Sequence, residues 1–581
     1  MILQALIFSC VCLHVSDAVI GLTKVSSLYM PYDYNTNKGV YDFNRNAVEE
    51  TAYDARNKII YTAGSRFLHV VDISKPKKPV IIHKHRLSHN VEDLAICGGY
   101  LAFVQEHSEF PALNGQLKIF KLYNRNTKTL DKMHTVTVGA SPDMILFSSD
   151  CRTIVVSNEG KASISATNVF HDPEPTITFI NNFEGRTRPI ASSLDFMHLN
   201  AKEFQYIMYG IRKPYAPSTF SMNLEPESIA FSNDETKLYV TLQENNGIMV
   251  IDMATRKLEN IFALGFKSWA KLGLDASSAD GGTRLKNYPI YSLYQPDGLA
   301  YFENNGEGYI ITANEGADIE LDQAGVTFQE SERASTLAQY QMFSQKLPQE
   351  LLKSLSNNRQ LGQLEISKVD GLDQSGKIER VFFYGGRGFS IWRARDMKLQ
   401  YDSGDEVARK HKQFYNSIFN SDSTTKNPTQ HRPMDLKDVR SDNKGSECET
   451  VVMGEVNGKR IIILAIDRVS TIMVYSLPAG STRPVFESVF RGGRLDKTFS
   501  ELYKNMDLGD LRPSDLTFVH AKDSPNGTPM LMVTGRASGT ISLYHVGNVV
   551  PNSSSYLKVD LTTWTVLLLL ATVVSMGLFS A

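Results

Sequence analysis

An excess of charge of either sign is what this chain lacks most. Its 61 Lys and Arg against 63 Asp and Glu leave a formal charge of −2 over 581 residues. So small a balance argues against nucleic acid as a partner. It also argues against a disordered polyacid that coats mineral by bulk charge. Cysteine is scarce, with five in all. Cys10 and Cys12 lie in an apolar leader, which leaves Cys97, Cys151 and Cys448. No pair has the C-x-x-C spacing of a zinc site, and an odd number outside the cell leaves one thiol free or paired with another chain. Cys97 and Cys151 are a candidate bridge between neighbouring repeats. There is no G-x-S-x-G elbow and no Walker loop, so the commonest hydrolase and nucleotide-binding signatures are missing. Long amphipathic patterns are few, and Gly and Asn punctuation is dense. Hydrophobic residues still make up 42% of the chain, ample for a core.

What is present is a repeated phrase: an acid, often just after proline, then two residues, then a small residue and an aromatic. Pro226-Glu227-Ser228-Ile229-Ala230-Phe231 and Pro296-Asp297-Gly298-Leu299-Ala300-Tyr301 are the clearest copies. Looser copies begin at Glu49, Glu92, Asp143 and Glu449, and Pro513-Ser514-Asp515 is a seventh. After each come short runs rich in β-branched and aromatic residues, split by tight polar turns. Lys237-Leu238-Tyr239-Val240-Thr241 and Ile248-Met249-Val250-Ile251-Asp252 flank Asn245-Asn246-Gly247 in this way. Such runs are strands joined by turns. A supersecondary unit recurring every several tens of residues predicts a solenoid or propeller, and about four strands per unit predicts propeller blades. The fold class expected is therefore all-β: a β-propeller over residues 19–549 with seven blades, eight being the alternative.

A blade's innermost strand runs beside the central channel, so an acid at one place in every blade repeats around the axis. The equivalent positions are Glu49, Glu92, Asp143, Glu227, Asp297, Glu449 and Ser514. Asn158-Glu159-Gly160 and Asn314-Glu315-Gly316 look like one loop used twice and add Glu315 to the set. Carboxylates brought together protonate, stay solvated or bind a cation, and calcium takes several oxygen ligands. Glu49, Glu92, Asp143, Glu227, Asp297, Glu315 and Glu449 are accordingly the candidate metal ligands. The competing reading is that each acid caps a strand end and sits in water.

The two ends read as addresses. Met1 to Ala18 is apolar and finishes on the small-x-small triplet Ser16-Asp17-Ala18, the pattern of a secretory signal peptide. Residues 550–563 hold small residues and a polar spacer, and 564–581 carry no charge. That order is the signal for a glycosylphosphatidylinositol anchor, with Ser553 as the expected attachment residue. A single membrane span is the alternative, but it normally has basic residues on its cytoplasmic side. Asn526-Gly527-Thr528 is a sequon, so Asn526 is the candidate glycosylation site.

The acid marks lie 43, 51, 84, 70, 152 and 65 residues apart, and the 152-residue gap is too long for one blade. It must hold a blade without the mark, a large insertion, or both. Within it, Leu337, Phe343, Leu347, Leu351 and Leu355 recur near helical spacing, which predicts a helical insertion over about 327–359. Pro348 is placed to start a second helix. Such an excursion would make a lid or rim over the channel. The stretch from Asp402 to Asp442 is polar and without periodicity, and reads as a mobile loop. His83, His85 and His89 read as structural. The segments Asp275–Gly281 and Asp370–Gly376 hint at calcium loops but lack EF-hand spacing.

Several of these segments together resemble a known family. Leu274-Asp275-Ala276-Ser277, Tyr294-Gln295-Pro296-Asp297-Gly298, Thr312-Ala313-Asn314-Glu315-Gly316, Tyr384-Gly385-Gly386-Arg387 and Arg440-Ser441-Asp442-Asn443-Lys444-Gly445 look like the choice-of-anchor I domain. Within it the chain is most similar to the mesenchyme-specific cell-surface glycoproteins of biomineralising invertebrates. The resemblance implies a β-propeller, a lipid-anchored secreted glycoprotein and a role in calcium carbonate deposition. Some bacterial relatives are called alkaline phosphatases, which implies an ancestral phosphoesterase. The chain departs from the family where Pro-Glu-Pro-Glu-Gly is expected and Ser446-Glu447-Cys448-Glu449-Thr450 stands. It departs again where Pro-Glu-Gly is expected and Pro513-Ser514-Asp515 stands.

Taken together, the expected function is calcium binding at the outer membrane leaflet, aiding calcium uptake or mineral deposition, with calcium as the cofactor. The expected partners are calcium or its carbonate mineral, and matrix proteins or glycans. One alternative is a metal-dependent phosphoesterase in which Arg387 or Arg440 holds the phosphate. The other is an adhesive protein that binds a partner through the 402–442 loop and the helical insertion.

Overall fold

The computed structural model describes residues 18–165, 169–185, 187–323 and 326–550. The expected leader and the expected anchor region, Ser553 included, lie outside the described residues except for Ala18 and Val550. Seven four-stranded antiparallel sheets account for most of the chain, and they are the blades of a propeller. Their innermost strands are Glu50–Asp54, Asp93–Cys97, Pro142–Phe147, Pro226–Phe231, Leu299–Asn304, Cys448–Val456 and Pro513–Val519. Each touches the next, and the seventh touches the first. We number the blades 1 to 7 in that order.

Closure of the ring uses the start of the chain. Blade 7 takes three strands from the C-terminal end, and its fourth is Val19–Tyr29, which pairs antiparallel with Thr540–Val549. The strand from the other end of the chain therefore covers what would be an open edge.

The sequence pattern follows from where each strand sits. The middle two strands of a blade are sandwiched between neighbouring blades, so both faces are buried and they read as continuous apolar runs. Lys459–Ile466 and Thr471–Leu477 of blade 6 are of this kind. Outer strands such as Val80–Arg86 face water and carry Lys and Arg. A separate apolar cluster fills each gap between blades. Leu68 and Phe103 meet between blades 1 and 2, and Tyr239 and Trp392 between blades 4 and 5. Leu464 and Phe389 join blades 5 and 6, and Ile60 and Val519 join blades 1 and 7. Cys97 and Cys151 form a disulfide that ties blade 2 to blade 3, and Cys448 is free and buried.

The long gap between acid marks holds an insertion and no further blade. Blade 5 starts with Leu299–Asn304 and Glu307–Asn314, then leaves the ring before returning as Gly388–Arg393 and Lys398–Asp402. The excursion builds a five-stranded sheet with strands from the blade 4–5 connection. It has its own core around Trp269, Leu337, Leu355, Ile366 and Phe383. The expected helical insertion carries two short helices, Ala334–Gln339 and Gln349–Leu355. Thr327 lies instead in the strand Val326–Gln329, and Pro348 is the N-cap of the second helix. The apolar spacing is that of residues facing this small core.

The polar 402–442 stretch is a correction. It holds the helix Glu406–Phe414 and buries Val407, His411, Ile418 and Phe419. Its side chains take tertiary partners that no local periodicity encodes; His411 Nε2 lies 2.8 Å from Thr471 Oγ1 of blade 6.

The closing strand generates a prediction. Ile20 and Leu22 are both buried in the blade 6–7 core. Burial of two such side chains is worth about 3–6 kcal/mol. A chain lacking residues 19–29 should lose at least that much stability in urea unfolding and should associate through its bared edge. Unchanged stability and a monomeric state would count against closure by this strand.

Candidate metal centre

In four of the seven blades the acid phrase sits at a repeated backbone irregularity. In blades 3, 4, 6 and 7 the pairing of the first two strands slips at the acid phrase, between Pro142 and Ile145, Pro226 and Ile229, Cys448 and Val451, and Pro513 and Leu516. A bulge adds a residue on one strand and re-aims side chains. Two successive residues thereby face the axis where a regular strand would offer one. A hydroxyl on the second strand fills the bulge. Met144 N donates to Ser157 Oγ at 3.1 Å, Ser228 N to Thr241 Oγ1 at 3.0 Å and Asp515 N to Thr534 Oγ1 at 2.9 Å.

The result is an axial cavity of about 620 Å³ whose lining includes Glu49, Glu92, Asp143, Asp297 and Glu449. Glu227 and Glu315 face an adjoining cavity of about 340 Å³, bordered by the segment 317–321 and by Lys444. That segment is the part of the excursion nearest the mouth; the helices are not. Its path requires glycine. Gly316 has φ +107° and Gly385 φ +75°, and a Cβ on Gly385 would lie 2.1 Å from the Glu315 carbonyl oxygen. At Gly298 a Cβ would lie 2.8 Å from Thr450 Cα, so blades 5 and 6 approach this closely only without one.

Three of the seven candidate ligands converge. Asp297, Glu315 and Glu449 each offer a carboxylate oxygen, and these atoms all lie within 4.8 Å of one another. Gln243 Nε2 donates to Glu315 Oε2 at 2.9 Å. Lys444 Nζ stands 3.9 Å from Glu315 Oε1. Glu227 lies in the same field, raised by burial and by Glu244, Glu159, Asp143 and Asp297. Glu227 Oε2 and Glu244 Oε2 are both buried with no hydrogen-bond partner. Glu92 and Asp143 lie in the blade 2–3 arc of the same cavity. Glu49 is drawn elsewhere: its Oε1 pairs with Arg536 Nη1 at 2.8 Å, while Arg536 Nη2 is 3.9 Å from Glu449.

Burial sets the charge states. It pushes Glu92 up to about 8 and Asp143 and Glu244 to about 7, with neighbouring carboxylates adding to the rise. Burial likewise raises Asp297 and Glu449 well above the carboxylate range, reinforced at Asp297 by Glu449 and Glu315. Glu447, two residues before Glu449, goes the other way. Burial pushes it up, but Lys444, Arg440 and Arg468 hold it down at about 2. It is a paired structural anion, and its neighbour is not.

A second tier of acids escaped the sequence reading. Glu50, Asp93 and Asp515 follow the first-tier positions by one residue and also line the channel. The doublets Glu49-Glu50 and Glu92-Asp93 were its visible signal, and Asp515 supplies the acid that Ser514 lacks. Asp93 and Asp515 do structural work. Asp93 Oδ2 accepts from Ile145 N of blade 3 at 2.7 Å, and Asp515 Oδ2 from Thr51 N of blade 1 at 3.1 Å.

The two arginines considered for phosphate each bond to loop groups of the protein. Arg387 is buried and gives Nη1 to Asp275 O at 2.9 Å and Nη2 to Ser441 O at 3.0 Å and to Asn443 O. Arg440 Nη2 donates to Asn443 Oδ1 at 2.7 Å and to Glu447. These bonds brace the loops through the terminal nitrogens, while Nε of each arginine is buried without a hydrogen-bond partner. Asn526 is exposed, in the turn between the first two strands of blade 7.

Three comparisons bear on this architecture. The family model described as "Choice-of-anchor I domain" matches residues 49–479. The "Mesenchyme-specific cell surface glycoprotein" of Strongylocentrotus purpuratus is 24% identical, with 94% of each chain covered. "Gigasin-3a" of Magallana gigas is 34% identical over 35% of this chain and 71% of its own. Among solved structures, Kuenenia stuttgartiensis hydrazine synthase covers 88% of this chain and 99% of its own at 12% identity and TM-score 0.41. The WD40 domain of Toxoplasma gondii coronin covers 93% and 91% at 9% identity and TM-score 0.40. At such scores the structural likenesses carry no weight, and the blade count rests on the strand pairing described above.

The raised acids predict a pH dependence of stability. A carboxyl raised in the native state keeps a proton that the unfolded chain has released, so stability falls as pH rises through the interval between the two values. For Asp143 the interval runs from the ordinary value up to about 7, and for Glu92 up to about 8. With chelator present, the melting temperature measured by calorimetry should drop steadily between about pH 5 and pH 8.5. A rise over that range would contradict these charge states.

Proposed function

Because the chain belongs to the choice-of-anchor I domain family, we propose that it is a cell-surface glycoprotein whose axial mouth binds calcium and aids deposition of calcium carbonate outside the cell. The observation that carries this reading is the meeting of Asp297, Glu315 and Glu449 within 4.8 Å. Two oxygens bound to one calcium ion at 2.3–2.6 Å can be no more than about 5.2 Å apart. The donor set is all oxygen, as a hard cation requires. The partnerless oxygens of Glu227 and Glu244 show that the surrounding wall has acceptor capacity to spare. The cation would supply counter-charge to acids that otherwise keep protons. Asp297, Glu315 and Glu449 would hold it, with Glu227 and Glu244 beside them. Lys444 and Arg536 would limit the net negative charge of the mouth, and so its affinity.

The cell-surface part of the reading draws on the curated relative named a cell surface glycoprotein. It also draws on the leader and anchor signals in the sequence, with the anchor tied to the outer leaflet at or near Ser553. Asn526 is the proposed carrier of glycan on the ectodomain.

Calorimetric titration with calcium tests the site. A dissociation constant on the order of 0.1–1 mM is expected, the range of extracellular modules. Asp297→Asn should weaken binding by about tenfold or more, equivalent to about 1.4 kcal/mol. Near neutral pH, binding should release protons, read as a dependence of the heat on buffer. Absence of binding at millimolar calcium would sink the proposal.

A further inference from the structure

Away from the axis, three aspartates from two connecting segments meet. Asp275 and Asp280 lie in the connection from blade 4 to blade 5, and Asp438 lies in the connection from blade 5 to blade 6. One carboxylate oxygen from each lies within 4.8 Å of the other two. Their exposures are 2%, 8% and 5%, far below those of ordinary surface acids.

Their hydrogen bonds are few. Asp275 Oδ2 accepts from Arg284 N at 2.5 Å, Asp280 Oδ1 from Gly282 N at 3.2 Å and Asp438 Oδ1 from Ser441 Oγ at 2.5 Å. Asp275 Oδ1 is buried and has no partner. Among the described residues one ion pair involves the cluster: Arg284 Nε at 3.9 Å from Asp280 Oδ2, on a side chain 56% exposed. Arg387 is near but takes backbone carbonyls of both segments, at Asp275 and Ser441, and leaves the carboxylates uncommitted. A buried acceptor without a donor is costly, and a buried unpaired charge more so. A proton or a cation resolves it. The three-oxygen span again fits a single ion of calcium size.

We propose that Asp275, Asp280 and Asp438 hold a structural hard divalent cation, calcium by the chemistry of the donors, that pins these two segments together beside blade 5. The site is distinct from the axial mouth and does not depend on it. Its role follows from the chain path. Six residues after Asp438 comes Lys444, which faces Glu315 at the mouth. Fixing Asp438 therefore fixes the segment that carries Lys444 to the mouth. The local backbone braces the same joint through Arg387, and the cation completes it by taking the carboxylates.

Terbium is the probe, as an oxygen-seeking stand-in for calcium whose emission is sensitised by a nearby aromatic ring. Tyr288 is such a ring, close enough for both Asp275 and Asp280 to act on its hydroxyl. The full chain, stripped with chelator, should show terbium emission on aromatic excitation that calcium displaces. Asp275→Asn and Asp438→Asn should each lower that emission by about tenfold or more. Tyr288→Phe should dim the emission while equilibrium dialysis still counts the same number of bound calcium ions. Asp297→Asn should leave the Tyr288-dependent emission intact, which separates this site from the axial one. Asp280→Asn, on the side nearest solvent, is the second variant should either of the others misfold; circular dichroism reports folding. Unchanged emission and calcium count in a folded Asp275→Asn, Asp438→Asn or Asp280→Asn protein would overturn the proposal. So would emission that disappears with Asp297→Asn alone.

Discussion

Like charges crowded where water is scarce must shed charge or share a counter-charge. The axial channel imposes that constraint on every blade at once. Each innermost strand carries an acid phrase, and in blades 3, 4, 6 and 7 a bulge at the phrase turns two successive side chains toward the axis. Seven strands then bring their polar side chains into one cavity of about 620 Å³. The apolar clusters between blades hold those strands at fixed spacing, so the acids cannot move apart to relieve their repulsion. The propeller core and the electrostatics of the channel are in that sense one problem.

The protein resolves the repulsion differently around the ring. On one flank, cations from adjacent blades neutralise the acids. Arg536 takes Glu49, and Arg512 takes the fully buried Asp467 at 2.7 Å. Glu447 is enclosed by Arg440, Arg468 and Lys444 and stays ionised. On the other flank, Glu92, Asp143, Glu227 and Asp297 are raised by burial and by one another. The triad of Asp297, Glu315 and Glu449 stands where the two regimes meet. On the proposed reading that position suits a reversible ion: enough negative charge to attract it, and nearby cations that keep the hold loose. An extracellular fluid with calcium near millimolar asks for no tighter grip.

The excursion from blade 5 matters to the mouth because its outgoing segment, 317–321, borders it. Arg212 is buried against Glu330 and pairs with Asp370 at 2.7 Å, which fastens the excursion to the connection between blades 3 and 4. The loop after Glu315 packs backbone to backbone against Gly385. The connection from blade 5 to blade 6 threads the same region, with Arg387 bonding carbonyls on both sides. Regular secondary structure is sparse here, so side-chain bonds and buried charges define the shape. A pinning cation at Asp275, Asp280 and Asp438 belongs to the same style of construction.

Much of this was legible in the linear chain. The repeated phrase marked the blades, strand-like runs between polar turns marked the β class, and the odd cysteine count left Cys448 over. The acids on successive innermost strands were readable because a repeat places equivalent residues at equivalent sites. The second tier was half visible in Glu49-Glu50 and Glu92-Asp93, yet its side of the channel was not. A strand alternates faces, and in blades 1 and 2, whose first two strands pair without a bulge, only the ring geometry puts both members of a doublet on the axis. The polar segment after Asp402 looked featureless because its partners are in blade 6 and in the other connection, far away in sequence. What the sequence by itself determined is the architecture, since strand period and turn chemistry are local. What only the tertiary structure decided is the fate of each acid. A carboxyl group's charge depends on what is brought within a few ångströms of it, and here those neighbours come from residues dozens to hundreds of positions away.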